Sequence, residues 1–265
     1  MTDYPELILQ SLSIARVEFP SLDIQAELAE FEELVSLANN ELTEVGTDQQ
    51  RLEAFNRLFF EELGFIGDHE DYYNPRNSCV NAVMETRCGI PISLSVIYFT
   101  LAQTVGLDAY GICFPGHFLV GCQLDNGIIY LDPYDEGKEL STTDLNNLLE
   151  QVFDTPSVGE AERNKWLMPA SQTDILTRML RNLKDIYFRE GDQYKALDTV
   201  NRILEMDPES ADDIRDRGLL YYHMERLEPA ILDLTRYLKL IPNAEDTETV
   251  RKILLDMHED EPSVH

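Results

Sequence analysis

Residues 77–135 constrain the fold more than any other stretch of the chain. They read NSCVNAVMETRCGIPISLSVIYFTLAQTVGLDAYGICFPGHFLV, then a polar turn, then IIYLDPYD. Pro91 suits the first turn of a helix, where its missing N–H costs no hydrogen bond. The apolar run 92–105 continues that helix, and Gly106 stops it. Asn77 or Ser78 caps a shorter helix before it, ending near Gly89. The runs AYGICF, HFLVGCQL and IIYLD that follow are short and rich in β-branched and aromatic residues, so they read as strands. Asp125-Asn126-Gly127, between the last two, is a hairpin turn. The segment therefore predicts a small antiparallel sheet packed on an apolar helix.

The chain is helical on both sides of this segment. Residues 4–63 carry apolar side chains at helical spacing, as in Leu7, Ile8, Leu12, Ile14 and Ala15. LDIQAELAEFEELVSLANNEL and DQQRLEAFNRLFFEELGF add two amphipathic helices. GDHEDYYNPRNS is a loop with Pro75 as breaker. Residues 133–170 form a connector with one helix over 142–152. From Ile175 the chain repeats itself. Pro208 and Pro242 lie 34 residues apart, the period of a tetratricopeptide repeat. Leu180, Tyr187 and Ala196 recur at that period as Ile214, Tyr221 and Ala230, and Gly218 supplies a small residue in the second unit. Helices from about 171 and over 248–257 cap the two units, because a repeat needs neighbours to cover its apolar face. The expected fold class is α+β, mainly helical. The expected divisions are an N-terminal helical region (1–70) that is part of the core, the helix-and-sheet core (71–165) and the repeats (171–265).

Composition narrows the function. The 265 residues carry a formal net charge of −29, and residues 1–70 set 16 Asp and Glu against Arg16, Arg51 and Arg57. Such a chain repels phosphate backbones, so no nucleic-acid partner is expected. The acidic face is either plain solvated surface or a dock for a basic partner. No 18-residue apolar stretch predicts a membrane span, and MTDYPELILQ lacks the basic start of a signal peptide. Cys79, Cys88, Cys113 and Cys122 show no CxxC pair or metal-ligand spacing, and the five histidines are scattered. We expect free thiols, no metal, no cofactor and a cytoplasmic location.

His117 and Asp132 are the candidate chemical pair. A histidine opening an apolar strand is costly to bury without a partner. Asp132, fifteen residues on, falls near the same end of the sheet and would fix the imidazole tautomer. The alternative is a structural histidine beside an aspartate that caps the Pro133 turn. A nucleophile to match is harder to find. Cys79 sits at a helix start, where the dipole favours a thiolate. Cys88 falls at the end of that helix, where the dipole opposes one. Cys113 and Cys122 read as strand filler. Ser93, in the first turn after Pro91, is an alternative nucleophile position, and its plain reading is a helix-start hydrogen bond. Two functions stay open: a binding or regulatory protein that takes a protein or peptide partner, and a thiol-dependent amide hydrolase or acyl transferase using Cys79, His117 and Asp132.

The 72–120 segment YYNPRNSCVNAVMETRCGIPISLSVIYFTLAQTVGLDAYGICFPGHFLV, followed by LDPYD and IRDRGLLYYHMERLEPAILDL, resembles the SirB-type family of transglutaminase-like proteins with C-terminal tetratricopeptide repeats. The likeness extends over nearly the whole chain. It implies a transglutaminase-like (papain-like) core followed by helical repeats. It also implies that His117 and Asp132 stand at the histidine and aspartate positions of the triad. The enzymes' thiol position falls near Pro91, and no cysteine lies from Gly89 to Ser93. The resemblance thus implies a degenerate triad and a vaguely regulatory role with no assigned reaction.

Overall fold

A computed structural model describes residues 4–42, 46–154 and 159–259. These residues form two compact units that divide at Met179 and Leu180. The division falls inside the helix Gln172–Glu190.

The N-terminal unit is built around one buried helix. Helices α1 (Tyr4–Ala15), α2 (Ile24–Leu42) and α3 (Asp48–Asn56) come first. Thr47 caps α3 in a reciprocal pair with Gln50. The helix expected to run unbroken from 48 changes character at Arg57. Residues Arg57–Glu62 widen into a π-turn, where Leu63 N–H reaches Leu58 O at 2.8 Å. There Phe59 stacks on Phe65 at 4.3 Å between centroids and meets Tyr98 edge-on at 5.1 Å.

Two short strands, β1 (Ile66–Gly67) and β2 (Cys88–Gly89), pair in parallel. Between them lie a 3-10 turn (Pro75–Ser78) and α4 (Val80–Thr86). Asn74 caps the 3-10 turn. Asn77 and Ser78 do not cap α4 as the sequence suggested: both lie in that turn, Cys79 is the N-cap residue with no side-chain cap, and α4 ends at Arg87 in the left-handed region (φ 61°). Helix α5 (Pro91–Thr104) is buried at every position from 91 to 102 and packs against α1, α2, α4 and the sheet. A helix apolar all round belongs inside.

Strands β3 (Asp108–Ile112), β4 (Leu119–Leu124), β5 (Gly127–Asp132) and β6 (Lys138–Glu139) make an antiparallel sheet in the order β3-β4-β5-β6. Leu124 pairs with Gly127 across the expected hairpin. Gly127 stands at φ 130°, a backbone state that favours glycine. Helix α6 (Thr142–Phe153), capped by Ser141 and Asp144, adds Leu145 and Leu149 to a cluster with Ile112, Phe114 and Leu119. A short helix, α7 (Glu160–Lys165), was not anticipated from sequence. Its six residues, EAERNK, bury none of their side chains and so carry no apolar period.

The repeat unit consists of the end of α8 (Gln172–Glu190), then α9 (Gln193–Met206), α10 (Ala211–His223), α11 (Leu227–Leu240) and α12 (Thr247–Glu259). Ala196 and Ala230 are fully buried. A Cβ on Gly218 would lie 2.8 Å from the Leu234 side chain, so only glycine lets α10 and α11 approach this closely. Between α8 and α10 runs a buried ion network. Asp213 accepts from Lys184 at 2.8 Å and from Arg181 at 2.9 Å. Arg217 grips Asp233 with two nitrogens at 2.6 and 2.9 Å. Among the described residues no helix is long and apolar enough to cross a membrane.

Candidate functional site

A turn and a strand end bring His117 and Asp132 together. Phe114-Pro115-Gly116-His117 closes with His117 N–H donating to Phe114 O at 3.1 Å, and Gly116 stands at φ 67°. Proline followed by a glycine at positive φ is what a type II turn demands. His117 is thus the last residue of the turn and lies just before β4. The β4–β5 register pairs Val120 with Leu131, which places Asp132 at the same end of the sheet. His117 Nε2 lies 2.7 Å from Asp132 Oδ2, with both side chains largely buried. The second carboxylate oxygen accepts from Tyr134 N–H at 3.0 Å and caps the 3-10 turn Pro133–Asp135. Asp132 therefore does both things the sequence allowed, binding the imidazole and capping the turn. With the carboxylate as acceptor, Nε2 carries the proton and Nδ1 is left as the ring's acceptor.

Tyr134 extends the pair into a larger cluster. Its ring meets His117 edge-on at 6.2 Å and His69 at 4.4 Å, and its hydroxyl donates to Asp68 O at 2.6 Å. Tyr72 lies 6.3 Å from Tyr134 and 5.2 Å from Tyr73, and both outer rings are exposed. Gly67 makes room for this arrangement, because a Cβ there would sit 2.5 Å from Tyr134 O. Burial raises the Tyr134 hydroxyl, and the nearby Tyr72, Asp68, Cys88 and Asp132 add to the shift. The Asp68 carboxyl is held low by the Asp71 N–H, against a smaller push from burial, and by Asn77. Sequence reading missed Tyr134, Asp68 and His69. Tyr134 was within reach, since it stands two places after Asp132 in the same DPYD motif.

The expected nucleophile positions are placed as follows. Cys79 precedes α4 as its N-cap residue, is fully buried, and donates its thiol to Pro75 O at 3.3 Å. Ser93 is also fully buried. Its hydroxyl donates to Asn77 O at 2.6 Å and accepts from Ile90 N–H at 3.1 Å. Asn77 in turn donates to Asp68 Oδ2 at 2.8 Å, so Ser93 anchors the loop beneath Tyr134 to the start of α5. Cys88 needs correction. It is not the last residue of α4; it lies in β2, past the left-handed Arg87 and two residues before Ile90, the N-cap of α5. Burial raises its thiol, and the Asp68 carboxylate, which accepts from it, raises it further. Cys113 follows β3, half-buried. Cys122 is buried in β4 and pushed up to about 11 by burial and by Asp108. None of the four cysteines is in a disulfide.

The repeat unit carries a separate cleft of about 350 Å³, lined by Tyr187, Phe188, Ala196, Leu219, Leu220 and His223. Tetratricopeptide repeats in general offer such surfaces to proteins.

Comparison with known proteins agrees with the architecture. The model of the transglutaminase-like superfamily matches residues 25–181, and that of the tetratricopeptide repeat matches residues 183–254. A UPF0162 protein of Xylella fastidiosa is 35% identical over 98% of this chain and 92% of its own length. One from Vibrio cholerae is 29% identical over 94% of this chain and 91% of its own length. F-box only protein 21 of Homo sapiens is 31% identical over 76% of this chain, which corresponds to 35% of that longer protein. Two domain models in the order the helices and sheet require, and relatives that align end to end, place the chain in the transglutaminase-like superfamily, among the UPF0162 proteins that match the SirB-type resemblance of its sequence.

Proposed function

We propose that this protein is a non-catalytic binding protein. The His117–Asp132 pair lines a recognition site for a peptide or another amide-bearing ligand, and the repeat cleft takes a protein partner. The observation that carries this reading is the position of the thiols. A sulfur with no solvent exposure, as at Cys79, cannot meet a substrate carbonyl unless α4 opens. The Ser93 hydroxyl is held between Asn77 and Ile90, and Pro91 leads α5. Cys88 is kept protonated by burial and the Asp68 carboxylate, the reverse of what activates a thiol. The imidazole still has a bonding role, since Nδ1 accepts from an amide N–H while Asp132 holds the ring. The exposed Tyr72 and Tyr73 rings provide flat apolar surface beside it. Four cysteines outside any disulfide suit a reducing compartment, and we place this function in the cytosol.

One observation favours a second reading. The 2.7 Å pair is the base-and-orienter half of a thiol hydrolase or acyl transferase, with Cys79 attacking. Purified protein incubated with a blocked glutamine peptide and hydroxylamine separates the two. The binding reading expects no hydroxamate above the buffer rate, and the same result for His117→Ala. Hydroxamate formed by the wild type and abolished in His117→Ala would establish the enzyme.

A further inference from the structure

The turn that carries His117 rests on the edge of an exposed apolar patch. A Cβ built on Gly116 would lie 2.6 Å from Val152 Cγ2. Val152 and Phe153 close α6 with about half their surfaces exposed. The Phe153 ring lies 6.1 Å from Trp166, which is 40% exposed, and Met168, two residues on, is 66% exposed. Phe153 and Trp166 thus form an exposed apolar pair, with exposed Val152 against the His117 turn and exposed Met168 two residues past Trp166, the kind of surface that recognition uses. The platform is firmly supported from below. Leu145, Leu149 and Leu167 are buried in the cluster with Ile112 and Leu119, and Ala170 N–H donates to Gly111 O on β3 at 2.9 Å.

Charge selects the occupant. In the stretch of chain that carries these side chains, Glu150, Asp154, Glu160 and Glu162 stand against Arg163 and Lys165, and Arg163 also donates to Asn146 at 3.0 Å. The whole chain carries −29. Acidic peptides, nucleic acids and anionic membranes are all repelled. We propose that Val152, Phe153, Trp166 and Met168 dock the apolar side chains of a cationic, extended peptide segment whose backbone runs on to His117. The Val152 side chain abuts Gly116, the residue before His117, so a chain lying on the platform leads directly to the turn. This inference rests on the binding reading of the His117–Asp132 site and names its ligand class.

Trp166 is the chain's one tryptophan, so its emission reports directly on the platform. The probe is a blocked hexapeptide of alternating lysine and leucine, compared with lysine–serine and glutamate–leucine peptides of equal length. The lysine–leucine peptide is expected to shift Trp166 emission to the blue and to bind at least about tenfold tighter than either analogue. Phe153→Ser, at an exposed site, is expected to weaken it about tenfold with an unchanged melting temperature. If Phe153→Ser binds as wild type while His117→Ala weakens binding, the platform is wrong and the site stands. If Phe153→Ser weakens binding and His117→Ala does not, the platform stands and the His117 site reading fails. No emission shift at millimolar peptide would overturn the docking proposal, as would equal binding of the lysine–serine peptide. So would sedimentation showing that the patch is covered by a second copy of this chain and freed by Phe153→Ser.

Discussion

Phe59→Ala is expected to cost the N-terminal unit about 4 kcal/mol, in the range for removing a fully buried phenylalanine. The ring has no solvent exposure and touches Phe55, Phe60, Phe65 and Tyr98. Removing it opens a cavity against α5, where Tyr98 donates to Asn56 Oδ1 and cannot move to fill the gap without breaking that bond. Phe59→Leu keeps most of the volume and is expected to cost about 1–1.5 kcal/mol. Urea denaturation followed by Trp166 fluorescence checks both, because the one tryptophan belongs to this unit. Equal losses from the two variants would mean that the π-turn relaxes and the cavity closes.

Asp213→Ala is expected to cost the repeat unit about 3 kcal/mol, because it strips a counter-charge from a buried ammonium. Asp213 is fully buried, and Lys184 is nearly so. Burial alone would raise the Asp213 carboxyl. Hydrogen bonds from Lys184 and Ser210, with the Lys184 charge, outweigh burial and hold it below the usual range. Burial likewise opposes the Lys184 charge, yet Asp216 and Asp213 carry it above its usual value. The signs set the pH dependence. A lowered carboxyl contributes stability above the usual carboxylate range and loses it as pH falls through the folded value. A raised lysine contributes stability below the usual lysine range and loses it as pH rises through its folded value. The repeat unit should therefore be most stable across neutral pH and weaken at both ends. The paired change Asp213→Leu with Lys184→Met removes both charges and is expected to recover roughly half of the loss or more. Far-UV circular dichroism in urea reads these differences, and a loss below about 1 kcal/mol for Asp213→Ala would mean the network is solvated.

The architecture was largely legible from apolar periodicity and turn residues. Pro91 and Gly106 bracket α5, Asp125-Asn126-Gly127 marks the β4–β5 hairpin, and the spacing of Pro208 and Pro242 marks the repeat. Local chemistry fixes such features, so a single sequence displays them. The π-turn at Arg57–Glu62 was not legible, because it follows from packing Phe59 against α5 and has no local signature. The β1–β2 pair was hidden for a related reason: each strand has two residues, and 20 residues of chain lie between them. At the site, His117 and Asp132 could be paired from spacing because a short hairpin joins them. Asp68 and Cys88 could not, since the β1–β2 pairing and the bond from the Tyr134 hydroxyl to Asp68 O join segments far apart in the sequence. The position of Cys88 turned on where α4 ends, and Arg87 in the left-handed region ends it just before the thiol.

On the proposed binding reading, the His117–Asp132 imidazole–carboxylate pair has no sulfur to activate. Iodoacetamide labelling near neutral pH, with the rate at each cysteine read by peptide mass spectrometry, tests it most directly. Cys79 and Cys122 are expected to stay almost unlabelled while half-buried Cys88 and Cys113 react no faster than ordinary thiols, and His117→Ala is expected to leave all four rates unchanged. Rapid alkylation of Cys79 that slows in His117→Ala would contradict it.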